Sequence, residues 1–302
     1  MVTSQESERR ARRRAIPRNR HQAEEPTDNF SRGFDALGTL AVNGVQVSAR
    51  ATDLASGRVL FSVDDHVTMP TASIGKVLLL IEVATRLSGG VESEAFLTLE
   101  RDPRDAVGDS GIWQHLQASA LPLGDLAALV GGASDNLATN VLLRHVGLQA
   151  VRTRTEELGL TRTALLDLVR DHRGPDDAPQ LSIGAAKELT WLFASLARGE
   201  IVSPEVSQRV VGWLSLNADL SMVASAFGLD PLAHRRPDHG LLLMNKTGTD
   251  GGVRSEVGVL RGPRASVAYA VSTYFADTQL SARLAVLDGM RMVGLDLLEY
   301  VH

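Results

Sequence analysis

The 302-residue chain is 44% apolar and carries a formal net charge of −5, so it can bury a substantial core and offers no overall basicity for nucleic acid. It has no cysteine, which excludes disulfides, thiolate metal sites and cysteine nucleophiles. Its 31 basic residues include only three lysines, Lys76, Lys187 and Lys246. Unlike arginine, a buried lysine can lose its proton near neutral pH, so each retained lysine poses a chemical question.

Residues 1–29 read as an arginine-rich tail. Seven arginines fall between Arg9 and Arg20, and almost nothing apolar accompanies them. Such a segment reads as a solvated, disordered arm. No apolar core follows the basic start as a secretory signal requires, and no run is long enough to span a bilayer, so a cytoplasmic address is expected. Phe30 to Gly38 can form a short helix. Gly44 to Val63 alternates around a turn at Asp53–Gly57 and predicts a β-hairpin. From Ser73 to about Trp213 the pattern is mostly helical, clearest over 76–87, 123–130, 137–145, 150–158 and 183–197. A turn-rich loop, Arg170 to Pro179, interrupts it. Three strands follow, over 241–246, 256–260 and 266–272, and an amphipathic helix over 280–300 closes the chain.

Strands at both ends with a helical insert predict an α+β fold. Residues 30–66 and 219–302 would form a sheet lobe with flanking helices, and 67–218 a helical lobe. A site is expected in the cleft between them.

Ser73-Ile-Gly-Lys76 opens the first long helix. Residues three apart share a helical face, which brings Lys76 beside the Ser73 hydroxyl. A desolvated lysine can take the proton that makes a serine nucleophilic, while the helix N-terminus favours a developing oxyanion. Alone, the pair also reads as a helix cap followed by a surface lysine. Two further stretches change the balance. Ser134-Asp-Asn136 opens another helix, and Lys246-Thr-Gly-Thr249 ends a predicted strand with a second lysine.

In this order and context, the three motifs resemble those of class A β-lactamases and related penicillin-binding proteins. The resemblance runs from about Gly44 to the closing helix. It implies an antiparallel five-stranded sheet flanked by helices, and a serine hydrolase acting through an acyl-enzyme on a small-molecule β-lactam, amide or ester. It implies Ser73 as nucleophile, Lys76 as proton acceptor and Ser134 as donor to the leaving nitrogen. Asn136 would bind the substrate amide, and Lys246 and Thr247 its carboxylate. The backbone N–H groups of Ser73 and Thr249 would form the oxyanion hole. Asp135 is expected to hold its turn, and Lys187 to be solvated.

The chain departs from that family in one place. The loop after the second motif normally carries a glutamate, in Arg-x-Glu-Pro-x-x-Asn, that drives the deacylating water. Leu165 to Gly174 contains no glutamate. Asp167, Asp171 and His172 are the candidate replacements. An intracellular biosynthetic esterase, amidase or acyltransferase, or an acyl-binding domain without turnover, therefore remains an alternative. Arg254 is a candidate carboxylate ligand and Trp113 a core residue. The stretch Asp219 to His234 carries no recognisable chemistry. The histidines show no metal-ligand spacing, and no phosphate-binding loop appears, so neither metal nor organic cofactor is expected.

Overall fold

The computed structural model describes residues 29–89, 94–108 and 110–302; the expected arginine-rich tail lies outside these apart from Asn29. Helix α1 (Ser31–Val42) is followed by strands β1 (Gln46–Asp53), β2 (Val59–Val63) and β3 (Thr68–Pro70). The helical insert contains α2 (Lys76–Leu87), β4 (Thr98–Glu100), β5 (Ala120–Pro122), α3 (Leu123–Ala133), α4 (Asn136–Val146) and α5 (Leu148–Glu157). It continues through β6 (Ala164–Leu165), β7 (Ser182–Ala185), α6 (Ala186–Arg198) and α7 (Pro204–Leu214). The chain returns through β8 (Leu242–Asp250), β9 (Val253–Arg261) and β10 (Ser266–Tyr274) to α8 (Leu280–Val301).

The expected antiparallel sheet forms with five strands in the order β2-β1-β10-β9-β8, so the two chain ends meet at its centre. Its two faces bury different apolar sets. On one, α1 and α8 pack over Val47, Ala49, Leu260 and Val271. On the other, Val257, Val259, Ala268 and Ala270 join the core of the helical insert. Helix α2 lies at the heart of that insert, with ten of its twelve residues buried. A helix apolar on every side belongs in an interior, which fits the run Val-Leu-Leu-Leu-Ile after Lys76.

Two segments differ from expectation. Residues 182–185, which overlap the start of a predicted helix, are instead strand β7, because Ile183 pairs with Pro70 on one side and Ala164 on the other. Helix α7 is absent from the clear helical segments of the sequence, although Ser203 accepts a hydrogen bond from the Val206 N–H and Pro204 opens the first turn. No helix among the described residues is long and apolar enough to cross a membrane.

Candidate active site

Ser73 lies in a 3-10 turn, Ala72–Gly75, which runs directly into α2 at Lys76. The predicted helix thus begins three residues after the serine. A 3-10 turn has three residues per turn, so positions 73 and 76 still share one side. Ala72 adopts φ +48°, uncommon for a residue with a side chain. Ser182 on β7 holds this turn in place. Its hydroxyl donates to the Ala72 carbonyl (2.6 Å), accepts from the Gly75 N–H (3.2 Å) and meets Thr71 Oγ1 (2.8 Å).

The second motif sits between two helices. Ser134 ends α3 in the left-handed region at φ +54°. Asp135 caps α4 by accepting from the Ala138 N–H (2.9 Å), and also binds the N–H groups of Ile112 (2.7 Å) and Trp113 (2.8 Å). Asp135 therefore anchors the turn, as expected, and Trp113 is fully buried. Lys246-Thr-Gly lies in β8, the edge strand beside β9. There, a Cβ on Gly248 would stand 2.1 Å from the Thr71 carbonyl oxygen. Only glycine permits this backbone contact, which seats the strand against the nucleophile turn.

Together these elements bring both lysines to one serine. Lys76 Nζ is 2.7 Å from the Ser134 carbonyl oxygen, 2.7 Å from Asn136 Oδ1 and 3.4 Å from Ser134 Oγ. Lys246 Nζ donates to Ser134 Oγ (3.0 Å) and to the Thr247 carbonyl (2.9 Å). Both lysines are fully buried. Burial, the nearby positive charge of Lys246 and the opposing pull of Asp135 leave the Lys76 pKa well below that of a free lysine. Burial lowers that of Lys246 to about 8. The two amines therefore differ at neutral pH, Lys76 inclined to be an acceptor and Lys246 to stay a cation.

Two adjoining hollows, of about 430 and 470 Å³, share Ser73, Ser110 and Thr249 in their walls. Ser134 and Thr247 face the first, and Asn136 and Asp171 the second. Ser73 thus stands at the junction of a cleft reached by all three motifs.

The Beta-lactamase enzyme family model matches residues 30–301. The chain belongs to the β-lactamase enzyme family. No curated protein matches it in sequence. Among solved structures, it resembles a β-lactamase from Sphaerobacter thermophilus at 23% identity and TM-score 0.75, over 88% of this chain and 96% of that one. A β-lactamase from Xanthomonas campestris gives 16% identity and TM-score 0.75, over 90% and 98%. A PBP-A mutant, solved as an acyl-enzyme complex with penicillin G, gives 20% identity and TM-score 0.71, over 90% and 97%. At these identities the likeness is one of fold.

The loop after the second motif is tied to α4. Asn140, one turn beyond Asn136 on α4, clamps it. Asn140 Oδ1 accepts from the Val169 N–H (2.9 Å) and Nδ2 donates to the Val169 carbonyl (3.0 Å). Asp167 is not available as the water-directing base that the sequence offered. Burial alone would raise its pKa, but Arg170, the Leu168 N–H and Arg173 all bond its carboxylate and hold it below the usual range. Asp171 does reach the cleft wall, where it accepts from the Gly108 N–H at 2.9 Å. His172 is exposed on the same wall. Arg254 lines neither hollow. Its guanidinium donates to the carbonyls of Asp250 (2.9 Å) and Val253 (2.7 Å) and pairs with Asp277, so it ties down the β8–β9 turn. Among the described residues, no group of three His, Asp or Glu is arranged to hold a metal ion.

Sequence reasoning missed the polar network behind the Lys-Thr-Gly strand. Asn217, on the cleft wall, donates to Asn245 Oδ1 (2.9 Å); Asn245 donates to Glu256 Oε1 (2.9 Å), which also accepts from the Tyr269 hydroxyl (2.6 Å). The signal available was a glutamate at the head of a predicted strand, 256–260, that otherwise reads as core. Burial raises the Glu256 pKa to about 7, against the opposing bonds from Tyr269, Asn245 and the Ala224 N–H.

The protonated form of Glu256 therefore stabilises the fold below about pH 4.5, and that contribution is lost as pH rises through about 7. Glu256→Gln is expected to flatten the fall of unfolding free energy between pH 5 and 8. At about 1.36 kcal/mol per pKa unit, the difference in slope amounts to roughly 3 kcal/mol across the window. Urea unfolding of both proteins at several pH values measures it; parallel profiles would refute it.

Proposed function

We propose that the protein is a serine hydrolase that opens a β-lactam, or a related amide or ester, through an acyl-enzyme on Ser73, and that this acyl-enzyme is long-lived. The observation that carries the reading is the placement of Lys76, buried between the Ser134 carbonyl and Asn136 Oδ1. A neutral amine has two N–H donors, which match the Ser134 carbonyl and Asn136 Oδ1, and one lone pair left to receive a proton. Ser73 Oγ adds to the substrate carbonyl carbon while its proton passes to Lys76 Nζ. The carbonyl oxygen takes the negative charge, facing the backbone N–H groups of Ser73 and Thr249. When the carbon–nitrogen bond breaks, Ser134 gives its proton to the leaving nitrogen and recovers one from Lys76, 3.4 Å away. Lys246, a cation at neutral pH, holds Ser134 and, with Thr247, a substrate carboxylate.

Hydrolysis of the ester requires a water and a base. Of the three candidate bases, Asp167 is held by two guanidinium groups, while Asp171, which accepts one backbone N–H, and His172 are exposed on the cleft wall. Acylation is therefore supported more fully than release.

The test is incubation with a fluorescent penicillin, nitrocefin and p-nitrophenyl esters, followed by intact and peptide mass measurement. An adduct on Ser73, absent from Ser73→Ala and decaying slowly, is expected. No adduct from any of these donors would overturn the reading, and rapid nitrocefin turnover would overturn its long-lived part.

A further inference from the structure

One wall of the Ser73 cleft carries no motif. Asn217, Ala218 and Asp219, which follow α7, line the hollow that Ser134 and Thr247 also face. This segment is irregular backbone, so its position depends on its tethers. The Ala218 N–H donates to the Gly132 carbonyl on α3 (2.9 Å), and Asn217 Nδ2 donates to the Asp219 carbonyl (3.1 Å). The same Nδ2 reaches across to Asn245 Oδ1 at 2.9 Å. Asn245 directly precedes Lys246 on β8, so this bond ties the wall to the Lys-Thr-Gly strand.

Asn245 is oriented from behind. Its Nδ2 donates to Glu256 Oε1 (2.9 Å), which leaves Oδ1 for Asn217. Glu256 also takes the Tyr269 hydroxyl on Oε1 (2.6 Å) and the Ala224 N–H on Oε2 (3.2 Å). Glu256, Asn245 and Tyr269 are all fully buried, so water competes for none of these bonds. Three donors thus converge on one carboxyl group, and none of its partners offers an acceptor to a carboxylic O–H. A charged acceptor makes bonds roughly twice as strong as a neutral one, so the carboxylate grips Asn245 harder than the acid does.

We propose that Glu256 is a positioning residue for substrate binding: through Asn245 and Asn217 its carboxylate holds the 217–219 wall against the Lys-Thr-Gly strand, in the shape that receives the leaving-nitrogen side of the substrate, and protonation slackens that hold. The change falls near neutral pH, because burial brings the Glu256 pKa up to about 7. The titratable groups that face it are the Tyr269 hydroxyl from β10 and the Asp219 carboxylate from the wall itself, whose charge also favours the acid. β8 and the backbone at Ala224 present neutral partners, and the buried acid of α8, Asp296, binds the Gly33 N–H and Arg32 on α1 instead. The functional half of this proposal rests on acylation at Ser73; the hydrogen-bond relay does not.

The test is stopped-flow acylation by nitrocefin, comparing the unaltered chain with Glu256→Gln from about pH 5.5 to 8.5. Glutamine keeps the shape and an acceptor but cannot ionise. Dividing the two second-order rate constants largely cancels the titrations of Lys76 and Lys246, which both proteins share. The ratio is expected to climb about 2- to 30-fold as pH rises, with a midpoint near 7. The gain should lie in the half-saturating concentration, with the limiting rate unchanged, because Glu256 touches neither Ser73 nor Lys76. A ratio flat in pH, or a rise confined to the limiting rate, would overturn the proposal. The second measurement needs neither substrate nor variant: an NMR pH titration of the labelled chain, in which the side-chain amides of Asn245 and Asn217 are expected to move together with a midpoint near pH 7. Amides indifferent to pH overturn the relay even if Ser73 is acylated. Coupled movement with no acylation by any donor supports the relay and strikes only the Ser73 reading.

Discussion

Val169→Glu is expected to shorten the life of the Ser73 acyl-enzyme by about 10²- to 10⁴-fold, the usual range for a positioned general base. The side chain at 169 is placed by its backbone. Asn140 grips both the N–H and the carbonyl of this residue, and the valine lines the same cleft wall as Ser73. It is half-buried, so a carboxylate there can keep a water beside it rather than lose its charge. Of the bases already in the loop, Asp167 is paired with Arg170 and Arg173, and Asp171 and His172 are solvent-exposed, so a half-buried glutamate at 169 adds a group that none of them supplies. The measurement is the decay of the penicillin adduct by intact mass after free drug is removed. An unchanged decay rate in a folded variant would mean that position 169 does not face the ester.

Lys76→Arg carries the second large effect, on formation of the adduct rather than its loss. Acylation is expected to fall by about 10²- to 10⁴-fold, since a guanidinium is always protonated and cannot take the serine proton. The geometry sharpens the point. Lys76 Nζ is fully enclosed, with oxygens at 2.7 Å on two sides, and a planar fork of five donors has no room to satisfy its remaining hydrogens there. The check is the acylation rate constant by stopped-flow with a chromogenic donor, alongside circular dichroism to verify folding. A folded variant retaining more than about a tenth of the rate would locate the base elsewhere.

Much of this site is legible in the chain. The three motifs are short, and each combines a reactive group with its own local scaffold: a turn before a helix, a cap between helices, a strand end. The period-two runs of β8, β9 and β10 and the apolar run 77–81 of α2 follow from patterns that need no partner. What the sequence withholds is decided by the partners that folding brings to each residue. Strand β7 is a strand because Ile183 meets Pro70 and Ala164. Asp167 looks like a free acid until Arg170 and Arg173 fold back on it, and Arg254 looks like a substrate ligand until Asp277 arrives from beyond β10. The Asn140 clamp joins residues 29 apart, and nothing local to either announces it. The start of α2 after Ser73, rather than at it, reflects the 3-10 turn that Ser182 imposes from a remote strand.

The seam at Gly248 sets how this enzyme can accommodate substrates. Main chain rests on main chain where Gly248 meets Thr71, with no side chain between to repack or slide. Any rocking of one lobe over the other would shear the nucleophile away from Thr249, the residue one step past that contact. Interiors so tightly joined move as one body. The opposite wall of the cleft, in the segment 166–181, is held instead by side chains, the Asn140 amide and Arg152, a donor to the Leu166 carbonyl.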